Sequence, residues 1–249
     1  MIKKNIVLAG LMAVSMLSAG MAYADEGDDW HFTLSAKGWA ESWGSWNYLN
    51  TNSANGKVGT TVASSDVTAA PIFGATIRYK DFFVSGNAAS TTTFNFSDTG
   101  TTQTRAESDF NVGYFIDHQV GISLGYKKVQ MNYQPSGSWE HDFVTLGLNS
   151  SARIGESPFF MYENAAFSLT GSTTTDQDAS FQAAGLSKGN PSYQSLEAGF
   201  GVSASKNLIF TMGYKFQQIE LPYTWSGNGI TENTRDMTNG FIFGMAVTL

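Results

Sequence analysis

Cysteine is absent from all 249 residues. In an exported chain that removes disulfide frameworks and thiolate metal sites, so the fold has to hold without covalent staples. Proline occurs only 5 times. Charged residues make up 14% of the chain, low against the ~25% of ordinary soluble domains. Beyond residue 24 no segment reaches the ~20 apolar residues that a membrane-crossing helix needs. Helical spacing of apolar residues is missing there too, which argues against an α-helical core.

What is present begins with a leader. Lys3 and Lys4 precede an apolar stretch from Ile6 to Leu17, followed by Ala22-Tyr23-Ala24. That is the plan of a secretory signal peptide with a small-x-small cleavage site, placing the leader at 1–24 and the mature domain at 25–249. The whole chain carries 14 basic and 21 acidic residues, a net charge of −7. Loss of Lys3 and Lys4 with the leader leaves 12 basic against 21 acidic residues, or −9. Such an acidic surface repels nucleic acid, which is excluded as a partner class. The length suits one all-β domain, with two small ones as the lesser alternative, and 26 glycines beside 14% aromatics hint at a barrel.

The hydrophobic period is two almost everywhere. In 196–217, LEAGFGVSASKNLIFTMGYKFQ, Leu196, Ala198, Phe200 and Val202 alternate with Glu197, Gly199, Gly201 and Ser203. After the turn SASKN, Leu208, Phe210, Met212, Tyr214 and Phe216 alternate with Ile209, Thr211, Gly213, Lys215 and Gln217. This is a hairpin with one bulky face and one small or polar face. Phe110 to Ile116 and Val120 to Tyr126 repeat the unit around Asp117-His118-Gln119. About ten strands are predicted, near 30–46, 69–80, 82–96, 105–117, 119–133, 139–152, 157–170, 192–204, 207–220 and 235–249, with eight as the alternative. Glu163 and Asn164 interrupt both parities of 157–170, so its facing stays open. Short turns at 80–82, 117–119, 153–157 and 204–207 alternate with longer Thr/Ser/Asn/Gly-rich connections at 47–68, 97–104, 171–191 and 221–234, and with a shorter one at 134–138. Short on one side and long on the other is the asymmetry of an outer-membrane barrel, with periplasmic turns and external loops.

Three features turn the bulky face toward lipid rather than inward. The opposite face is rich in Gly, Ser, Thr and Ala, which suit a crowded lumen. Aromatics lie near strand ends (Tyr79, Phe82, Tyr126, Tyr133, Tyr214, Phe216), where rings favour the headgroup zone. Mid-strand charges fall mostly on the small-residue face: Lys37, Glu41, Arg78, Glu107, Asp109, Lys127, Glu197 and Lys215. A Lys or Arg facing midplane lipid costs ~2–4 kcal/mol, whereas inside a lumen it can pair. These eight are expected to form a lumen charge network. Lipid cannot satisfy an open sheet edge, so the sheet must close. The first strand, HFTLSAKGWAESWGSW, is expected to pair with the last, GFIFGMAVTL. The expected fold is therefore an all-β, closed, antiparallel, up-and-down transmembrane β-barrel.

The leader, the hairpins VGISLGYKK and LEAGFGVSASKNLIFTMGYKFQ, and the terminal strand resemble small Gram-negative outer-membrane β-barrel proteins, the OmpA/OmpX/OmpW-like and opacity-type group. The resemblance rests on pattern over nearly the whole mature chain. It implies outer-membrane localisation with both mature termini periplasmic, and lipid and lipopolysaccharide as surroundings. It also implies recognition of the C-terminal strand by the barrel-insertion machinery through Phe241, Phe243, Met245, Val247 and Leu249. In that group the last residue is usually aromatic; here it is Leu249. The strand count also matches the omptin proteases, whose site pairs aspartates with an Asp/His set at the outer rim. Asp176-Gln177-Asp178 is the only external Asp-x-Asp and no Asp-x-His exists, so that site does not carry over.

Of the three histidines, only His141 near an outer strand end is a candidate base. Its neighbour Asp142 points to the opposite face of a strand and cannot orient it. Ser136 and Ser138 are close in sequence and could supply a nucleophile. Glu107 and Asp109 share a face and could share a proton, but the nearby cations favour a structural network. Gly199-Phe200-Gly201 is not a phosphate loop, since no helix follows. No cofactor or metal is expected, and the external ligand is not specified. A structural or surface-interaction barrel is the leading reading, with a narrow pore and a surface hydrolase or lipid A-modifying enzyme as alternatives. The leader is testable directly: N-terminal sequencing of the exported protein should start at Asp25, and a start at Met1 would refute cleavage.

Overall fold

The computed structural model describes residues 30–49, 59–117, 119–133, 137–183, 185–225 and 231–249. The expected leader 1–24, Ser136 and His118 lie outside the described residues. Among the described residues twelve strands follow one another: β1 Trp30–Leu49, β2 Gly59–Ser64, β3 Thr68–Tyr79, β4 Phe82–Phe96, β5 Thr101–Phe115, β6 Val120–Tyr133, β7 Gly137–Arg153, β8 Phe159–Thr175, β9 Leu186–Lys188, β10 Ser192–Ser203, β11 Leu208–Trp225 and β12 Thr231–Thr248. A single turn of helix, α1 Asp178–Ala183, sits between β8 and β9.

Ten of these strands make a closed up-and-down barrel. Each pairs antiparallel with the next, and β12 returns to β1 in a ladder running from Thr33↔Thr248 to Tyr48↔Asn233. β2 extends the sheet beside the far half of β1, and β9 does so beside the far end of β11. The alternative of eight strands is replaced by ten. Every expected strand is present, but several run further than expected. β5 begins at Thr101, β8 continues to Thr175, β11 to Trp225, and β12 begins at Thr231. Ladder pairs thus occupy much of the sequence expected as loops at 97–104 and 221–234. The reason is physical: at that end β5, β8 and β12 are polar on both faces and β11 carries its apolar residues, Ile219 and Leu221, on the inward face, so the outward alternation disappears, while β-branched threonines still suit the pleat.

Parity divides the wall cleanly. Phe73, Leu124, Phe200, Phe210, Met212, Phe241 and Phe243 face outward and are exposed. Glu163 shares the outward parity of Met161 and Phe167, and Asn164 turns inward, which settles the facing of β8. The inward face is packed solid in layers. Near the short turns, the Phe83 and Phe115 rings lie 5.0 Å apart, and Phe160, Tyr162 and Ile209 form a second cluster. Toward the opposite rim, Trp43, Phe94, Phe96, Val129, Met131, Phe143, Tyr193 and Ile219 fill the section. A polar layer lies between.

The inward glycines are explained by what lies over them. A Cβ on Gly113 would stand 2.2 Å from the Phe83 ring, and one on Gly201 2.0 Å from the Phe160 ring. A Cβ on Gly125 would meet the Asn111 amide oxygen at 2.1 Å. The small residues on this face are slots into which rings and amides from the neighbouring strand lie flat. Burying a ring such as Phe160 contributes ~1.5–3 kcal/mol, which a blocked slot forfeits. Gly201→Val should therefore destabilise the barrel by ~1–3 kcal/mol through overpacking, with part of the loss recovered by adding Phe160→Ala. Outward Gly38 has nothing within 4 Å of a built Cβ, so Gly38→Ala should leave the unfolding midpoint unchanged. Denaturant titration of the three variants measures this.

Candidate functional site in the barrel interior

The polar layer is built from strands on opposite sides of the barrel. On β5, Arg105, Glu107 and Asp109 succeed one another at a spacing of two and so project into the lumen together. Lys127 of β6 donates to Glu107 Oε2 at 2.6 Å, and Arg105 Nε donates to Glu107 Oε1 at 2.7 Å. Gln217 of β11 lies five strands round the wall from β5, directly across the barrel. It donates to Glu107 Oε2 at 3.1 Å and accepts from Arg105 Nη2 at 2.9 Å. A second crossing joins β1 to β10, where Lys37 Nζ donates to Glu197 Oε1 at 3.4 Å. Asp109 accepts from the amides of Asn87 and Asn111, each at 2.9 Å. Lys215 sits over the Trp39 ring, 4.4 Å from its centroid, and Lys127 sits 5.4 Å from that of Tyr193.

Seven of the eight expected charges thus lie inside this layer or against it. The eighth does not. Arg78 is near the short-turn end, over the Phe115 ring at 5.0 Å, and donates to the Lys80 carbonyl. Its inward parity is as expected, but its height on β3 puts it below the network. Arg105 was missed although it shares the parity of Glu107, because the strand was expected to begin there. Gln217 was placed on the right face but not read as a ligand of both ions.

Above the ions a further lock crosses the barrel. Trp43 Nε1 donates to Asp236 Oδ1 at 3.1 Å, and Tyr133 Oη donates to Asp236 Oδ2 at 3.2 Å from the far side. Tyr133 was expected in the outer aromatic girdle. Its position is odd where outward Ile122, Leu124 and Tyr126 are even, so it turns inward. Trp43 also meets Phe94, Phe96 and Tyr133 edge-on at 5.3 to 5.5 Å. Between the layers remains a cavity of about 60 Å³, bordered by Lys37, Asp109, Lys127, Glu197 and Lys215. That is room for a few water molecules. Nearby, Glu41 Oε2, Arg105 Nη1 and Trp39 Nε1 are buried without a hydrogen-bond partner in the protein, and ordered water is the ordinary partner for such atoms.

The other candidates are dispersed. His141 is buried, with Thr173 Oγ1 2.7 Å from its Nδ1 and the rings of Trp139 and Phe143 stacked on either side. Asp142 faces outward and accepts the Tyr126 hydroxyl. Among the described residues no carboxylate orients His141, so the geometry gives the hydrolase reading no support. Asp176 accepts from the Ser138 amide at 3.0 Å and its hydroxyl at 3.1 Å, the backbone bond chiefly holding the carboxyl below its usual value. Asp178 pairs instead with Lys188. The five residues expected as the insertion signal lie in order on β12 and beyond it: Phe241, Phe243, Met245 and Val247 face outward, and the Leu249 amide bonds the Phe32 carbonyl at 2.8 Å.

No protein-family model matches the chain, and no curated protein matches it in sequence. In shape it is similar to the outer membrane protease OmpT from Escherichia coli, with a TM-score of 0.53 at 10% identity over 91% of this chain and 98% of that one. The outer membrane protein OprG from Pseudomonas aeruginosa covers 91% of this chain and 98% of its own at 15% identity, with a TM-score of 0.37. Neisserial surface protein A covers 87% and 96% at 12% identity, also with a TM-score of 0.37. Only the first likeness is strong enough to use, and it concerns the fold alone: this chain has the closed barrel fold of an outer-membrane protein.

The ion layer makes a sharp energetic claim. Glu107→Gln leaves Lys127 and Arg105 buried beside an uncharged amide. Removing one partner of a buried ion pair costs ~3–5 kcal/mol. Urea unfolding of the barrel should show a loss of that order, and Glu107→Gln combined with Lys127→Met should recover part of it.

Proposed function

We propose that the chain is an integral outer-membrane β-barrel with a sealed, structural interior and a surface-interaction role for its rim. The observation that carries this reading is the inversion of polarity. Lys37, Glu41, Arg105, Lys127 and Glu197 are buried, while large apolar residues of the wall, Phe73, Leu124, Phe200 and Phe241 among them, are exposed on the outside. In water that arrangement would be untenable, since burial of apolar surface is the main driving force of folding. In a bilayer it is the favourable one. The strands, 12 to 20 residues long in the wall, exceed the ~9–11 that cross a membrane. Their surplus rises past the band at the loop end, where outward Lys128–Glu140 and Arg235–Glu220 ion pairs mark its upper edge.

The turns then face the periplasm, as do both ends of the mature domain, and the rim faces outward. Phe241, Phe243, Met245, Val247 and Leu249 form the outward stripe available to the insertion machinery. Lipid and lipopolysaccharide surround the band. The lumen is closed by cross-barrel contacts at two levels, which argues against the pore alternative. The protease activity named for the structurally similar E. coli protein is not proposed here, because the candidate histidine is sealed in.

The test is electrical. Protein reconstituted in a planar bilayer should show no discrete conductance, and Trp43→Ala with Phe94→Ala should stay closed as well, because the ion layer and the rings near the turns still fill the lumen. Discrete channels in the unaltered protein would overturn the sealed interior. Folding in each sample is checked by the gel shift between unheated and boiled protein.

A further inference from the structure

Above the apolar band the outer wall is hollowed on one side. Beyond Tyr126 and Val144 the outward residues of β6 and β7 turn polar, and the ladders set them in rows. One row crosses β5 to β8 through Ala106, Gln130, Glu140 and Thr174. On β4 the register shifts there, leaving Ser90 and Thr91 both opposite Ala106. Such a bulge bends its strand and re-aims a side chain. The next row up, ~7 Å higher at ~3.3 Å per residue, holds Thr104, Asn132 and Ser138. Together with Thr91 and Asp176 these rows line a groove of about 400 Å³, a volume that takes a small ligand. Its carboxylates are held in place. Glu140 accepts from Lys128 at 2.7 Å and from Gln130 at 2.8 Å. Asp176 accepts from the Ser138 amide and hydroxyl at 3.0 and 3.1 Å. Thr91, Thr104, Asn132 and Thr174 make no side-chain hydrogen bond among the described residues, so three hydroxyls and an amide stand open.

We propose that this groove binds a neutral pyranose saccharide through its ring hydroxyls. The proposal rests on the lipid-embedded reading above, which sets the groove on the external side just clear of the acyl chains. A sugar hydroxyl both donates and accepts, and the lining answers in kind. Threonine hydroxyls and the Asn132 amide do both, while the Glu140 and Asp176 carboxylates accept only. Those carboxylates are already oriented, so little ordering is needed when a sugar docks. Ala106 has the one apolar side chain in the two rows and leaves room for a ring between Thr91 and Gln130. An anionic ligand is repelled. Among the described residues the one cation beside the groove, Lys128, is spent on Glu140, and Asp176 adds a further negative charge. An apolar ligand would cover these polar groups without pairing them, which is costly. A metal ion is a poor fit, since no cluster of three ligating side chains occurs among the described residues.

The absence of cysteine makes the test clean. A single thiol in the groove (Thr104→Cys) is compared with one at a similar height on β11 (Gln218→Cys), five strands round the wall. Each protein is placed in phospholipid vesicles and labelled with a membrane-impermeant maleimide. Three additions are tried: soluble gluco- and galacto-oligosaccharides, lipopolysaccharide with its full neutral-sugar core, and lipopolysaccharide cut back to its acidic inner sugars. Labelling of Thr104→Cys should slow several-fold with the first or the second, while Gln218→Cys labels at an unchanged rate. Protection by the soluble sugars alone assigns the groove to glycans from outside, and protection by the full core alone assigns it to the surrounding glycolipid. Adding Ala106→Trp, which fills the groove, should abolish the protection. No protection at Thr104→Cys, equal protection at both positions, or equal protection by the truncated lipopolysaccharide would overturn the proposal. Gel-shift folding checks accompany every variant, and the comparison of the two thiols decides the matter even if Ala106→Trp fails to fold. A protein that never enters vesicles defeats the membrane reading, whereas one that enters and goes unprotected defeats only this inference.

Discussion

The pairing of β1 with β12 is the constraint from which the rest follows. Once that ladder closes, no strand of the wall has a free edge along the band, and every residue of the wall is committed to inside or outside by its parity. Ten strands enclose a space narrow enough for side chains from opposite walls to touch, as Arg105 and Gln217 do, and Tyr133 and Asp236. The interior therefore has to be filled by its own side chains. Charges placed there need partners: most find them in one layer held between apolar clusters, and Asp236 finds them above it.

That layering reconciles two demands that look opposed. A buried ion pair rarely adds net stability against an apolar replacement, because desolvation offsets the attraction. Here its value lies in position. Glu107 is reached from β5, β6 and β11, and Asp236 from β1 and β6. Each carboxylate thus ties far-apart strands at a fixed register. The aromatic layers above and below keep water from competing for those contacts, and inward glycines make the room that the rings occupy.

Much of this was legible in the chain. Alternation located all ten wall strands, and the charges on the small-residue face marked the lumen before any geometry was known. What escaped did so for stated reasons. The far ends of β8 and β12 carry Thr, Ser, Asn and Asp even on the buried inward face, and on β11 the bulky parity passes from the outside to inward Ile219 and Leu221, so these ends read as loops. The facing of β8 was undecidable because Glu163 breaks the outward pattern, and that break turns out to be a property of the surface rather than of the strand. Trp43, Phe94, Phe143 and Tyr193 turn inward, and the alternation, which marks the bulky outward face, does not single out the rings that fill the lumen. In a barrel this narrow, large rings are needed on both faces, and only strict parity counting separates Tyr133 from Tyr126.

The account stands on which face meets the acyl chains. A carbene-generating reagent confined to the bilayer, followed by mass spectrometry of the unaltered protein in vesicles, reads this directly. Label should fall on Phe73, Leu124, Phe200 and Met245 and spare Trp39, Phe143 and Tyr193. Label on the second set, or protein that remains in buffer and takes none, would contradict it.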